Sequence, residues 1–244
     1  RCGGCGAKIG SSVLSRVLQR LPAQTRDDLV IGLDSPDDAA VFAVPNDQLM
    51  VQSVDYFRAF IDDPYTFARI AANHALGDLF AMGAEPQSAL AIATIPYGRE
   101  QIVEQTLNDL MSGALDILNR SGAVLAGGHS GEGSELAFGL TVNGLISRQA
   151  LLRKSGMQAG DQLILTKPLG TGTLLAADMR GKAKGRWVQA AIESMLISNQ
   201  EAAQCLYRHG ATACTDVTGF GLLGHLLEMS RASNNDIHLQ LSAL

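Results

Sequence analysis

The sequence predicts a mixed chain, part α+β and part α/β, in two domains. Three observations predict it. Apolar runs of strand length alternate with longer stretches of helical spacing from about residue 39 to residue 146. A polar segment over 147–160, carrying Arg153, Lys154, Gly156 and Gly160, then interrupts the pattern. Beyond it, strand–helix alternation restarts at Gln162. A chain of 244 residues is long enough for one large or two medium domains. The expected division is an arm and first helix over 1–27, a first domain over 28–148 and a second over 158–244. The final segment, His238–Leu244, reads like a strand just begun, so the second domain is expected to be truncated.

The first nine residues, Arg-Cys-Gly-Gly-Cys-Gly-Ala-Lys-Ile, hold too much glycine for regular structure and are expected to form a mobile arm. Ser11 or Ser12 caps a helix with Val13, Leu14, Val17, Leu18 and Leu21 on one face, and Pro22 ends it. Strands are expected near 39–44 and 49–55. Pro64 opens a helix over about 65–82, with Phe67, Ile70, Ala71, Ala75, Leu79 and Met82 on one face and Gly83 as its stop. Asp78 lies beside that buried stripe. Residues 88–95 read as a buried strand, roughly 99–120 as a long helix, 123–126 and 136–146 as strands. In the second domain, strand 162–166 leads through Lys167-Pro-Leu-Gly-Thr-Gly-Thr173 into a helix, and further helices lie near 187–208 and 221–232. Trp187 is read as packing.

Composition narrows the function. Hydrophobic residues make up 46% and charged residues 18%, with a net charge of −5, so no bulk attraction to nucleic acid or to an anionic membrane is expected. No apolar run reaches the ~18 residues of a membrane helix. Cysteines at 2, 5, 205 and 214 do not make a disulfide framework in a chain of this size, and a reducing cytoplasm is the expected location.

The chemistry concentrates in carboxylates. Asp37 and Asp38 stand before an apolar run, Asp55 ends another, Asp78 lies on the helix, and Asp216 follows much later in Thr-Asp-Val-Thr-Gly-Phe-Gly221. Carboxylates at strand ends and on a helix, with no basic neighbour in sequence, suit a hard divalent cation such as Mg²⁺, which shares its coordination with phosphates. The alternative for Asp37 and Asp38 is that they simply form a turn. Gly127-Gly128-His129-Ser130 follows a strand and could cradle phosphate oxygens on bare backbone N–H groups, or be an ordinary turn. It is neither a Walker A loop nor a dinucleotide fingerprint. His129 is the one histidine singled out; His209, His225 and His238 are too scattered to form a metal cluster. Lys167-Pro-Leu-Gly-Thr-Gly-Thr is either a phosphate turn or a helix cap. Cys2-x-x-Cys5 lacks the second pair of a zinc site. In Cys5-x-x-Lys8, a lysine three residues from a thiol favours the thiolate and can also bind phosphate.

Taken together, Cys5-x-x-Lys8, Asp37-Asp38-Ala-Ala-Val, Asp55, Gly77-Asp-Leu-Phe-Ala-Met-Gly83, Ala126-Gly-Gly-His-Ser130, Leu165-Thr-Lys-Pro-Leu-Gly170 and Thr215-Asp-Val-Thr-Gly-Phe-Gly-Leu-Leu-Gly-His225 resemble the selenophosphate synthetase (selenide, water dikinase) family, in that family's order and along the whole chain. The aspartate-rich parts alone would fit the wider superfamily of aminoimidazole ribonucleotide synthetase and thiamine-monophosphate kinase. The resemblance implies that superfamily's two-domain fold, with a mixed sheet in an N-terminal domain that dimerises. It implies synthesis of selenophosphate, AMP and orthophosphate from ATP, selenide and water. Asp38, Asp78 and Asp216 match Mg²⁺ ligands. Lys8, Asp37, Asp55, Asp78, Gly128, His129 and Ser130 match ATP-contacting positions. Cys5 matches the essential cysteine, with Lys8 beside it, on an arm that closes over the nucleotide.

The chain departs from the family in three places near these residues. Ala7 stands where a second cysteine is frequent, His74 where Asn is common and Gly77 where Ser is common. Two alternatives remain beside selenophosphate synthesis: another ATP-dependent kinase or ligase of the superfamily, against which Cys5-x-x-Lys8 speaks, and a non-catalytic nucleotide-binding module of a larger protein.

Overall fold

The computed structural model describes residues 11–21, 26–240 and 242. Cys2, Cys5 and Lys8, and the arm expected over 1–9, lie outside the described residues.

Among those residues, helix α1 (Ser11–Leu18) precedes three strands, β1 (Leu29–Ile31), β2 (Ala40–Val44) and β3 (Gln48–Arg58). Helix α2 (Pro64–Ala81), strand β4 (Glu85–Pro96), helix α3 (Glu100–Ser121), strand β5 (Val124–Gly133) and strand β6 (Ala137–Ser147) follow. The six strands form one mixed sheet in the order β1-β2-β3-β6-β4-β5. Every neighbouring pair is antiparallel except β4 and β5, the parallel pair joined by the α3 crossover. The strong alternation of apolar residues decides which face is covered. Leu49, Val51 and Phe57 of β3, Ala89, Ala91 and Ala93 of β4 and Phe138, Leu140 and Val142 of β6 are buried beneath α2 and α3. The opposite face leaves Val54, Tyr56, Leu90 and Val124 exposed.

Helix α2 is the central element. Asp63 caps it by accepting from the Thr66 amide at 2.9 Å, and Pro64 opens its first turn. It is buried almost all round because the sheet, α3 and later helices surround it. Gly113 of α3 permits the close approach: a Cβ there would lie 2.2 Å from the Tyr65 carbonyl oxygen.

Beyond Ser147 a single 3₁₀ turn (Arg148–Ala150) ends the sheet region, and the rest is helical: α4 (Thr171–Asp178), α5 (Gly185–Leu196), α6 (Gln200–Arg208) and α7 (Gly221–Ser233). Two expectations need correction in this region, and one strand was not expected at all. The strand expected over 162–166 does not form: no strand among the described residues lies alongside it, so its backbone has no ladder, and Leu163, Ile164 and Leu165 stay exposed. The helical stretch near 187–208 is two helices, broken where Ile197 turns extended. The short strand β1 carried too little pattern to be anticipated.

The glycine turn expected at 127–130 is also a strand. Residues 124–133 run continuously beside β4, with a bulge where Ala89 and Leu90 face Leu125 and Gly127. Glycine tolerates this because Gly128 lies hard against its neighbour: a Cβ there would meet the Ala91 carbonyl oxygen at 2.2 Å.

Candidate functional site

Alternation along β3 points Ser53 and Asp55 to the same side as its buried apolar residues, under α2. This places a carboxylate in an apolar interior, where it needs polar company. Helix α2 supplies it. His74 Nδ1 lies 2.9 Å from Asp55 Oδ2, with its ring against Phe57 at 4.7 Å between centroids. One helical turn on, Asp78 Oδ2 accepts a hydrogen bond from the Ser53 hydroxyl. Burial pushes the Asp78 carboxyl well above its ordinary range, and the charges of Asp216 and Asp55 push further, against the Ser53 hydroxyl.

The loop before β2 brings the next pair. The Asp37 carboxylate accepts from the Asp38 amide at 2.9 Å and from the Lys154 amide at 3.1 Å. The Asp38 side chain is 4% exposed. Its Oδ1 accepts from the Thr215 hydroxyl and pairs with Lys154 Nζ, each at 3.0 Å. Its Oδ2 is buried without a hydrogen-bond partner. Burial chiefly, then Asp216, raise the Asp38 carboxyl to about 7 although Lys154 pulls it down. Lys154 also reaches Glu228 Oε2 at 2.9 Å. Burial works against the charge on Lys154, but Asp38 and Glu228 outweigh it and hold the ammonium above its usual range.

Asp216 arrives on the loop before α7. A Cβ on Gly77 would lie 3.2 Å from Asp216 Oδ2, which fixes how closely α2 and this loop pack. The loop is pinned by His225, whose Nε2 accepts from the Thr218 amide at 3.1 Å. The neighbouring Cys214 thiol is pushed up to about 11 by burial and then by Asp38, Asp216 and Asp37.

The fold therefore gathers Asp38, Asp55, Asp78 and Asp216, from four separated segments, into one electrostatically coupled group, with Asp37 at its margin. Among the described residues, no three His, Cys, Asp or Glu side chains converge tightly enough to hold a metal ion unaided. Mg²⁺ does not require that: it is held by one or two carboxylates together with waters and substrate phosphates. Oxygen donors and the unpartnered Asp38 Oδ2 fit such an ion.

Gly128, His129 and Ser130 are not in this group. They sit on the exposed edge strand β5, beside a shallow groove of about 390 Å³ walled by Leu107, Met111 and Leu125. The rungs Asp55–Leu140, Leu140–Ala91 and Ala91–Gly128 place Gly128 three strands from Asp55 on one row. Ser53, Lys154, Thr215 and Glu228 were not singled out in advance. The parity of β3 could have found Ser53, which shares a face with Asp55. Lys154 sits in a polar connecting segment that carries no periodic signal.

Two family models match the chain: AIR synthase related protein, N-terminal domain, over residues 36–146, and the corresponding C-terminal domain over residues 158–244. Among solved structures, AaThiL complexed with AMPPCP and TMP gives a TM-score of 0.73 at 17% identity, covering 91% of this chain and 69% of that one. The HypE-HypF complex gives 0.67 at 12% identity, covering 92% and 71%. The two family models, with a fold shared with these structures, thus define an AIR synthase-like protein. Its curated relatives narrow this. Selenide, water dikinase of Clostridioides difficile (strain 630) is 39% identical over 239 residues, 98% of this chain and 68% of the relative. Its counterpart from Desulfitobacterium hafniense (strain DSM 10664 / DCB-2) is 45% identical over 243 residues, 99% and 70%. The chain belongs to the selenide, water dikinase family and spans about 70% of these relatives' length.

Proposed function

We propose that this chain carries the ATP site of an enzyme that makes selenophosphate from selenide, with ATP and water consumed and AMP and orthophosphate released. The observation that carries the reading is the buried, partly unpartnered Asp38 carboxylate grouped with Asp78 and Asp216. Identities of 39–45% to selenide, water dikinases favour this over another kinase of the superfamily.

Asp38, Asp78 and Asp216 would hold Mg²⁺. When bound, the ion neutralises phosphate charge and orients the triphosphate, which is most of what phosphoryl transfer asks of an enzyme. The chain's own residues set the rest. Ser53 and His74 fix the rotamers of Asp78 and Asp55 by hydrogen bonding, so the carboxylates need little reorganisation. Asp37, at the margin of the group, and Asp55, within it, would serve as nucleotide contacts. Gly128, His129 and Ser130 would take the far end of the nucleotide along the sheet edge. Cys5 is assigned to handling selenide as thiolate, and Lys8 to a phosphate contact.

A homodimer belongs to the same reading. The uncovered sheet face, with Val54, Tyr56, Leu90 and Val124 exposed, is the apolar surface a second copy would cover. No helix among the described residues is long and apolar enough to cross a membrane. Cys205 and Cys214 are free thiols, in keeping with a reducing cytoplasm.

The test is anaerobic incubation with Mg²⁺, ATP and hydrogen selenide, followed by phosphorus NMR. Selenophosphate and AMP should accumulate only when selenide is present, and Cys5→Ser should abolish this while sparing nucleotide binding. Selenide-independent turnover with another acceptor would overturn the reading.

A further inference from the structure

The acidic group already contains one cation. Lys154 Nζ stands 3.0 Å from Asp38 Oδ1 and 2.9 Å from Glu228 Oε2, and its side chain is only 13% exposed. Its backbone is clamped independently of that ammonium. The Lys154 amide donates to the Asp37 carboxylate, and the Arg153 carbonyl accepts from the Cys214 amide at 2.9 Å. On the other side, the Ser233 hydroxyl donates to the Lys154 carbonyl and accepts from the Gly156 and Met157 amides. The connecting segment is thus sewn to the loop of Asp37 and to the end of α7, and only the flexible lysine stem is left to move.

The two carboxylates it touches differ. Asp38 is deeply buried, while Glu228 on α7 is 39% exposed. A buried carboxylate shared by an ammonium and a divalent cation would hold two positive charges within a few ångströms at low dielectric, where their repulsion is large. Glu228 offers the ammonium a second, partly solvated seat that leaves Asp38 free.

We propose that Lys154 is a resident counter-ion of Asp38 that competes with the metal ion and passes to Glu228 when the metal is held. Lys154 is a positioning residue: it stabilises the ion-free acidic group and sets its metal affinity. Because Glu228 lies on α7, the handover ties occupancy of Asp38 to the contact between the first sheet and that helix. This inference rests on the metal role of Asp38 proposed above.

The two partners of the exchange make opposite demands, and that supplies the test. The probe is Mn²⁺ alone, titrated into the protein and followed by the electron paramagnetic resonance of free Mn²⁺. Lys154→Met removes the competitor and should tighten Mn²⁺ binding about tenfold. Glu228→Gln removes the alternative seat, leaves the ammonium to Asp38, and should weaken Mn²⁺ binding several-fold. Lys154→Arg, which keeps the charge, should stay near the parent. Affinities that are unchanged, or that move in the same direction in Lys154→Met and Glu228→Gln, overturn the proposal. If Lys154→Met does not fold, the Glu228→Gln titration decides alone: weaker binding supports the exchange, and unchanged or tighter binding refutes it. Asp38→Asn separates the underlying assumption. Undiminished Mn²⁺ binding in that variant removes the metal role of Asp38 itself, whereas lost binding there with an unmoved Lys154→Met removes only the exchange.

Discussion

Asp55 of β3 and Gly128 of β5 stand on one row of the sheet, linked rung by rung through Leu140 and Ala91. Three strand spacings of ~4.8 Å separate them by about 14 Å. A nucleoside triphosphate is long enough to reach from phosphates at the carboxylates to a base at the sheet edge. Gly128→Val should therefore divide the site's two ends. Its Cβ would sit 2.2 Å from the Ala91 carbonyl oxygen and force β5 away from β4. Calorimetry should show affinity for a non-hydrolysable ATP analogue falling at least about tenfold, while Mn²⁺ binding at the carboxylates persists. Equal loss of both would show that the edge and the acidic group are not separate parts of one site.

Asp78→Asn should move binding and stability in opposite directions. The amide oxygen still accepts from Ser53, but a like charge facing Asp216 and Asp55 is gone. Metal-free stability should rise, read from the midpoint of urea unfolding. Mg²⁺-dependent ATP binding should fall sharply. A destabilised Asp78→Asn protein would contradict the repulsion inferred here.

Asp38 reverses the usual pH behaviour of a carboxylate. Its folded value of about 7 lies above the ordinary 3.8. Between those values the folded state binds more protons than the unfolded one, so stability falls as pH rises through this range and levels off above it. In EDTA, the parent should lose up to roughly 4 kcal/mol from this group between pH 4 and pH 8. Asp38→Asn should show a flatter profile, read from urea midpoints at the two ends. Identical slopes for parent and variant would refute it.

Gly113→Ala should loosen the α2–α3 contact. The added methyl meets the Tyr65 carbonyl oxygen at 2.2 Å, and backbone cannot swing aside as a side-chain tip can. A loss of about 1–3 kcal/mol is expected, without change in Mn²⁺ affinity.

Much of this architecture was legible because its signals are local. Pro64, the apolar face through Met82 and Gly83 delimited α2 to within a residue or so, and apolar runs of strand length marked β3, β4 and β6. The carboxylates stood out by type and setting. What failed was non-local. Glycines 127, 128 and 131 read as a turn because glycine lacks strand propensity, yet pairing with β4 carries them straight through the sheet. Leu163–Leu165 read as a strand because they are apolar, but a strand exists only with a partner. Lys154 could not be matched to Asp38 and Glu228 from sequence, since they lie 116 and 74 positions away and no period connects them.

The β3–β6 pairing has a consequence for how the chain is made. Its rungs run from Arg58 opposite Ala137 to Gln48 opposite Ser147, so the middle of the sheet joins residues separated by most of the domain. The β2–β3 hairpin can form as soon as it leaves the ribosome, because its partners are adjacent in sequence. It then keeps an unpaired edge until everything through Ser147 has been synthesised, several seconds at ~5–20 residues per second. The two halves of the acidic group ride on opposite sides of that interval. Asp38 and Asp55 are in place early and Asp78 emerges within the interval, whereas Lys154 and then Asp216 emerge only after the sheet can close, so the early carboxylates wait for their lysine until the sheet is complete.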